Sequence, residues 1–172
     1  AGIFFTRGIA RRETNEVSSL SVEECEGGSF LVSTFEIARE ELPTFFEREE
    51  EFHVVSAPVE ELDGSDAGAG LLCLASTDAA YLAKHGRDKF DHLYGAHGLS
   101  TVWGWEGEIL PCRVYCRHCV LAVTKAGQEV LDDFLDNTFL YDRVTTLRQH
   151  LERDPTIMTE LPPEALRNRY GG

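Results

Sequence analysis

Four carboxylates surround one arginine in Glu47-Arg48-Glu49-Glu50-Glu51, and the run passes straight into Phe52-His53-Val54-Val55. Leu42, Phe45 and Phe46 lead into it from the other side. A charged cluster on a loop is ordinarily solvated. Here it lies between two hydrophobic elements, so at least one carboxylate is expected at the edge of a core. Burial disfavours the charged form, and a carboxylate so placed can take up and return a proton in catalysis. The competing reading is a charged helix C-terminus with no chemistry.

Other residue types with chemical potential are more scattered. Arg113 and Arg117 flank an apolar stretch that reads as a strand, and their expected partners are the Glu47–Glu51 carboxylates. Such pairs either hold a fold together or recognise a substrate carboxylate. Cys112, Cys116 and Cys119 with His118 suggest zinc, but a C-x3-C-x2-C spacing without a second pair in an apolar run favours free buried thiols. His92 and His97 have no acidic partner at a ligand-like interval, and Cys119 directly follows His118, so a nucleophile–base pair would need neighbours that rarely face each other. Asp142-Arg143 reads as a cap and ion pair. No phosphate-binding glycine loop or G-x-S-x-G turn occurs.

Composition narrows the partners. The 172 residues carry 30 acids against 16 Lys and Arg, a formal charge of −14, and 42% are hydrophobic. That fits one domain with a core, and a surface this negative repels nucleic acid and anionic membranes. The acidity is local: Glu36 to Asp66 holds eleven acids against two arginines, whereas 142–172 holds five of each. No apolar run is long enough to span a bilayer. Residues 1–10 lack a signal-peptide pattern, and Ile3-Phe4-Phe5 has the character of a domain interior, as if residues upstream were removed. Five cysteines, an odd number, argue for a reducing, intracellular compartment rather than a disulfide framework.

The elements that must position these residues follow from pattern. Residues 15–24 and 29–37 alternate around Gly27-Gly28 and predict an antiparallel hairpin. Glu40–Phe46 predicts a short helix with Pro43 in its first turn, and Phe52–Val59 and Gly70–Ser76 predict strands across a mobile 60–70 loop. Asp78 is the expected cap of a helix stopped at Gly86. Phe90 to Trp105, rich in aromatics and glycine, is read as core packing, with ligand or base stacking as the alternative. Leu110–Val114 predicts a strand, Val120–Phe134 a helix interrupted at Gly127, Thr145–Arg153 an amphipathic helix ended by Asp154-Pro155, and 155–172 an extended tail. The order implies an α+β fold around an antiparallel or mixed sheet.

With those residues in view, "EELPTFFEREEEFHVVSAPV" followed by "AGLLCLAS" resembles the gamma-glutamylcyclotransferase-like superfamily, chiefly over residues 1–75. The later "YCRHCVLAV" and "FLDNTFLYDRVTTLRQHL" resemble a divergent, uncharacterised branch. The resemblance implies a single domain built as a small, mainly antiparallel β-barrel or sheet with flanking helices. It also implies release of 5-oxoproline from a γ-glutamyl peptide or amine, as in glutathione metabolism. Arg48-Glu49 would be the family's Arg-Glu pair, with Glu49 as base and Glu50 as fallback; Arg48, Arg113 and Arg117 would contact the substrate. No metal or cofactor is implied, because the ring closure is intramolecular. The family's Tyr-Gly-Ser-Leu loop has no counterpart, since Tyr94-Gly95 and Tyr170-Gly171 stand elsewhere. Either that loop and the first strand lie upstream, or the chain is a catalytically silent relative working as a structural or interaction subunit, docking through its aromatic middle and tail. The compartment expected is the cytoplasm, or alternatively a plastid or mitochondrion.

Overall fold

The computed structural model describes residues 2–105 and 107–171. It is a mixed α/β arrangement of eight α-helices and two small sheets among the described residues. In chain order these are α1 (Gly2–Thr6), β1 (Glu16–Ser18), α2 (Leu42–Arg48), β2 (His53–Glu60), β3 (Asp66–Leu74), α3 (Asp78–His85), α4 (Arg87–Leu93) and β4 (Leu110–Pro111). Then follow α5 (Arg113–Thr124), α6 (Gln128–Asn137), α7 (Leu147–Arg153) and α8 (Arg167–Tyr170). Each sheet has two strands, and no barrel closes among the described residues. β2 and β3 form an antiparallel hairpin from His53 opposite Leu74 to Glu60 opposite Asp66, whereas β1 pairs in parallel with β4.

The hairpin has the alternation its sequence demands. Val55, Ala57 and Val59 are half-buried while Ser56, Pro58 and Glu60 face solvent. The loop expected over 60–70 is shorter, because the Asp63 and Asp66 carboxylates accept the Ser65 and Gly68 N–H groups and carry Asp66–Gly70 into β3. α2 tolerates Pro43 in its first turn, where an N–H has no helical partner anyway.

Three expectations are corrected. Only Glu16–Ser18 of the predicted N-terminal hairpin forms a strand, and 29–37 has no regular structure. The Leu31 N–H donates to the Asp133 carboxylate at 2.8 Å instead of to a neighbouring strand. Second, the cap of α3 is Thr77, whose hydroxyl accepts the Ala80 N–H, while Asp78 accepts the N–H groups of Val102 and Trp103 at 2.8 Å each. Third, the strand expected at Leu110–Val114 stops at Pro111, and Arg113 already lies in the first turn of α5. α5 and α6 are separated at Gly127, whose φ of +111° few other residues adopt.

Three apolar clusters fill the interior. Phe4, Ile9, Cys112, Val114 and Tyr170 form one. Tyr81, Phe90, Tyr94, Leu99 and Val102 form the second, which is where the aromatic stretch goes. Cys116, Val120, Leu135, Leu147 and Ile157 join α5, α6 and α7 in the third. The tail is folded rather than extended: α8 carries Tyr170 into the first cluster. α1 reaches the second cluster through Gly2, where a Cβ would come within 2.6 Å of the Tyr94 ring.

A candidate carboxylate site at the end of α2

The Glu49 N–H donates to Phe45 O at 3.0 Å and ends α2, and the Phe52 N–H donates back to Glu49 O at 2.9 Å. These two bonds make residues 49–52 one tight turn between α2 and β2. Its three glutamates are half-buried, unlike Glu47 and Arg48 just before them, which are exposed.

The carboxylates go in different directions. Glu50 accepts from the Lys89 ammonium of α4, and its carbonyl lies 3.2 Å from His85 Nε2, which must donate there. The Glu51 carboxylate accepts from the Tyr94 hydroxyl, and its carbonyl accepts from Trp103 Nε1 at 2.8 Å. Phe52 meets the Trp103 ring edge-on at 5.4 Å between centroids. The Glu49 carboxylate makes no hydrogen bond or ion pair among the described residues. Its charge is felt by Cys73 of β3 and Tyr115 of α5.

Electrostatics around the turn follow from burial first and these carboxylates second. Burial pushes the Tyr94 hydroxyl far up, and the adjacent Glu51 charge adds to it, so Tyr94 is a donor at any ordinary pH. Burial and then Glu50 raise Tyr81 likewise. Desolvation raises the Tyr115 hydroxyl, with Cys119 the next cause and Glu49 a smaller one. Cys73 is raised by burial and then by Glu49. The hydrogen bond from Lys89 to Glu50 holds its ammonium protonated above the usual lysine range. Glu50 also borders an open cleft of about 260 Å³ with Phe46, Phe52, His53, Tyr81 and Lys84.

Arg113 and Arg117 are not part of this turn, which corrects the expected pairing with Glu47–Glu51. Buried Arg113 donates through Nη1 to Glu16 Oε1 at 2.9 Å and Asp154 Oδ2 at 2.6 Å, with Glu160 Oε2 at 3.4 Å from Nε. Arg117 donates to Met158 O at 3.1 Å and to Gly171 O at 3.4 Å. Both sit on helix α5, where they fasten α5 to the 154–171 segment. Arg48 is exposed in the last turn of α2 and makes no ion pair among the described residues.

The thiol cluster also resolves. Cys112 and Cys116 are buried, Cys119 and Cys73 half-buried and Cys25 exposed, all as free thiols. Burial pushes Cys116 up to about 12 and Cys119 up to about 11. His118 meets Tyr170 edge-on, 5.5 Å between centroids, while Cys119 neighbours Tyr115. Among the described residues no three His, Cys, Asp or Glu side chains converge as a metal site. Asp142 accepts the N–H groups of Val144 and Thr145 in the turn before α7, whose cap is Thr146 rather than Asp142, and Arg143 forms an ion pair with Glu23. The residues that sequence reasoning missed are Lys89, Tyr94 and Trp103. Their signal was present, since a buried tyrosine or tryptophan needs a partner for its polar atom.

No family model, curated protein or solved structure matches this chain.

Proposed function

We propose that this chain is a gamma-glutamylcyclotransferase-like protein that releases 5-oxoproline from a γ-glutamyl peptide or amine, with Glu49 as the general base. The observation that carries the reading is the inequality within the turn. Glu50 and Glu51 have their donors, whereas half-buried Glu49 keeps its acceptor capacity for an incoming ammonium.

In this mechanism Glu49 takes one proton from the substrate's α-ammonium. The freed amine nitrogen attacks the γ-carbonyl carbon and closes a five-membered lactam. As the tetrahedral centre collapses, Glu49 gives its proton to the leaving nitrogen and that C–N bond breaks. Glu49 then takes the second proton from the ring nitrogen, which becomes the neutral lactam N–H, and passes it to the freed amine, which departs as an ammonium. Nothing is oxidised or reduced, and positioning supplies much of the rate. Exposed Arg48, one residue before the base, is the cation assigned to the substrate carboxylate. Glu50 is the fallback base, since it borders the cleft, but it would first have to leave Lys89. Free cysteines accord with a reducing compartment, cytoplasmic or organellar. No helix among the described residues is long and apolar enough to cross a membrane.

A second reading, a catalytically silent subunit that docks other proteins, is favoured by one observation. Phe30, Val32 and Phe35 are 45%, 52% and 77% exposed along a stretch with no strand partner. Docking would then use this stretch, because the aromatic middle and Tyr170 are buried.

The test is 5-oxoproline release from glutathione and a panel of γ-glutamyl amines and dipeptides. Release from at least one substrate supports the enzyme. Folded protein that releases none refutes it and leaves the docking subunit.

A further inference from the structure

Four side chains from one region converge on three consecutive residues. Lys89 of α4 holds the Glu50 carboxylate, and His85 of α3 holds the Glu50 carbonyl. Tyr94 holds the Glu51 carboxylate, and Trp103 holds the Glu51 carbonyl and packs on Phe52. Carboxylates and carbonyls are both gripped, so the backbone of the turn is fixed as well as its side chains. All four donors come from residues 85–103, and that region is itself braced. Asp78 ties down the N–H groups of Val102 and Trp103, and Tyr81 and Phe90 pack against Tyr94 at 5.5 and 5.3 Å.

Glu49 shares this turn through the Phe52 N–H bond to its carbonyl, yet none of the four gripping side chains bonds to its carboxylate. A grip on 50–52 therefore acts on Glu49 through the backbone of the turn and leaves its carboxylate unengaged by the gripping groups. We propose that Tyr94, Trp103 and Lys89 are positioning residues that fix the direction of the Glu49 carboxylate for proton transfer, a role that rests on Glu49 being the base. Misplacing a reacting group by about 1 Å can cost on the order of a hundred-fold in rate. An ordinary structural contact would not spare substrate affinity while slowing chemistry; a positioning contact does.

The variants are conservative. Tyr94→Phe and Trp103→Phe each remove one donor and keep an aromatic ring, and Trp103 is only half-buried, so its variant tolerates the change best. Lys89→Met removes the cation and Lys89→Arg restores one. For 5-oxoproline release from the best substrate, kcat falls about ten- to a hundred-fold in Tyr94→Phe and Trp103→Phe while KM holds. Lys89→Arg regains most of what Lys89→Met loses. Unchanged kcat, or a rise in KM at constant kcat, overturns the proposal. Amide hydrogen exchange at Phe52 is read in parallel and needs no activity. Faster exchange at Phe52 in the variants, with α5 amides unaltered, is the expected result, and unaltered protection at Phe52 refutes the grip. If the wild-type protein releases no 5-oxoproline, the base assignment to Glu49 falls, and the exchange result alone decides whether the turn is held.

Discussion

Arg113 gathers Glu16, Asp154 and Glu160 around one buried guanidinium, whereas the 49–52 turn disperses three glutamates toward different neighbours. In the first region the cation is central and each carboxylate has a basic partner. The arrangement joins β1, α5 and the segment after α7. In the second region Lys89 and Tyr94 answer two carboxylates and leave Glu49 with none among the described residues. Charge in a protein core holds a fold when it is matched, and it is available for chemistry where the matching stops. The acidic turn was the richer cluster in sequence, and the basic residue thought to answer it proved to belong to the other network.

The largest effect that would break this comparison is at Arg113. Arg113→Met leaves buried Glu16 with only the more distant Arg11, 3.9 Å away, and unfolding by urea is expected to show a loss of about 3–5 kcal/mol. A loss of less than about 1 kcal/mol would mean that the network is not structural. Arg148 sharpens the point, because it also holds two carboxylates, Asp132 and Asp136, but at the surface. Arg148→Ala should move the midpoint far less than Arg113→Met, since solvent and salt screen exposed pairs.

Acid should act on the Arg113 region in two stages. Burial holds His150 below the usual histidine range, so the fold keeps it neutral. Below pH 6.5 the unfolded chain takes up a proton that the folded chain refuses, so stability falls as pH drops. Asp154 is lowered to about 2 by its hydrogen bonds to Arg113 and then Thr156. Its contribution is complete above the ordinary carboxylate value of 3.8 and disappears as pH falls toward 2. Denaturation midpoints from pH 7 to 2 should show both declines, and His150→Asn should flatten the upper one. A flat profile between pH 6.5 and 5 in the wild-type protein would contradict the buried histidine.

The smallest effect concerns the thiols. Exposed Cys25 should alkylate first at pH 8, and Cys112 and Cys116 should resist until the chain unfolds, because burial both covers them and raises their pKa. Mass mapping of labelled peptides checks the order.

What the sequence made legible was local. The two strands β2 and β3, α2 with Pro43 in its first turn, the break at Gly127 and the stop at Gly86 are set by residues within a few positions, although β3 starts at Asp66 rather than Gly70 and α2 runs Leu42–Arg48 rather than Glu40–Phe46. The stretch 29–37 has strand-like residues yet forms none, because a strand also needs an edge to pair with, and Asp133 takes the Leu31 N–H instead. Arg113 was misplaced on a strand since the apolar run around it carries no helical period of its own before Cys112. At the site, the glutamates could be seen, but their donors stand 39, 43 and 52 residues away. Those donors were hidden inside an aromatic stretch correctly assigned to the core, whose polar atoms carried the missing information.

One measurement tests the central claim most directly: 5-oxoproline release by Glu49→Gln, Glu50→Gln and Glu51→Gln, each shown to be folded, on one substrate turned over by the wild-type protein. The account predicts that Glu49→Gln loses about a hundred- to ten-thousand-fold, with Glu50→Gln and Glu51→Gln losing less because they loosen the turn and keep the base. A Glu49→Gln protein that turns over as the wild type does, or a larger loss at Glu50 than at Glu49, would contradict it.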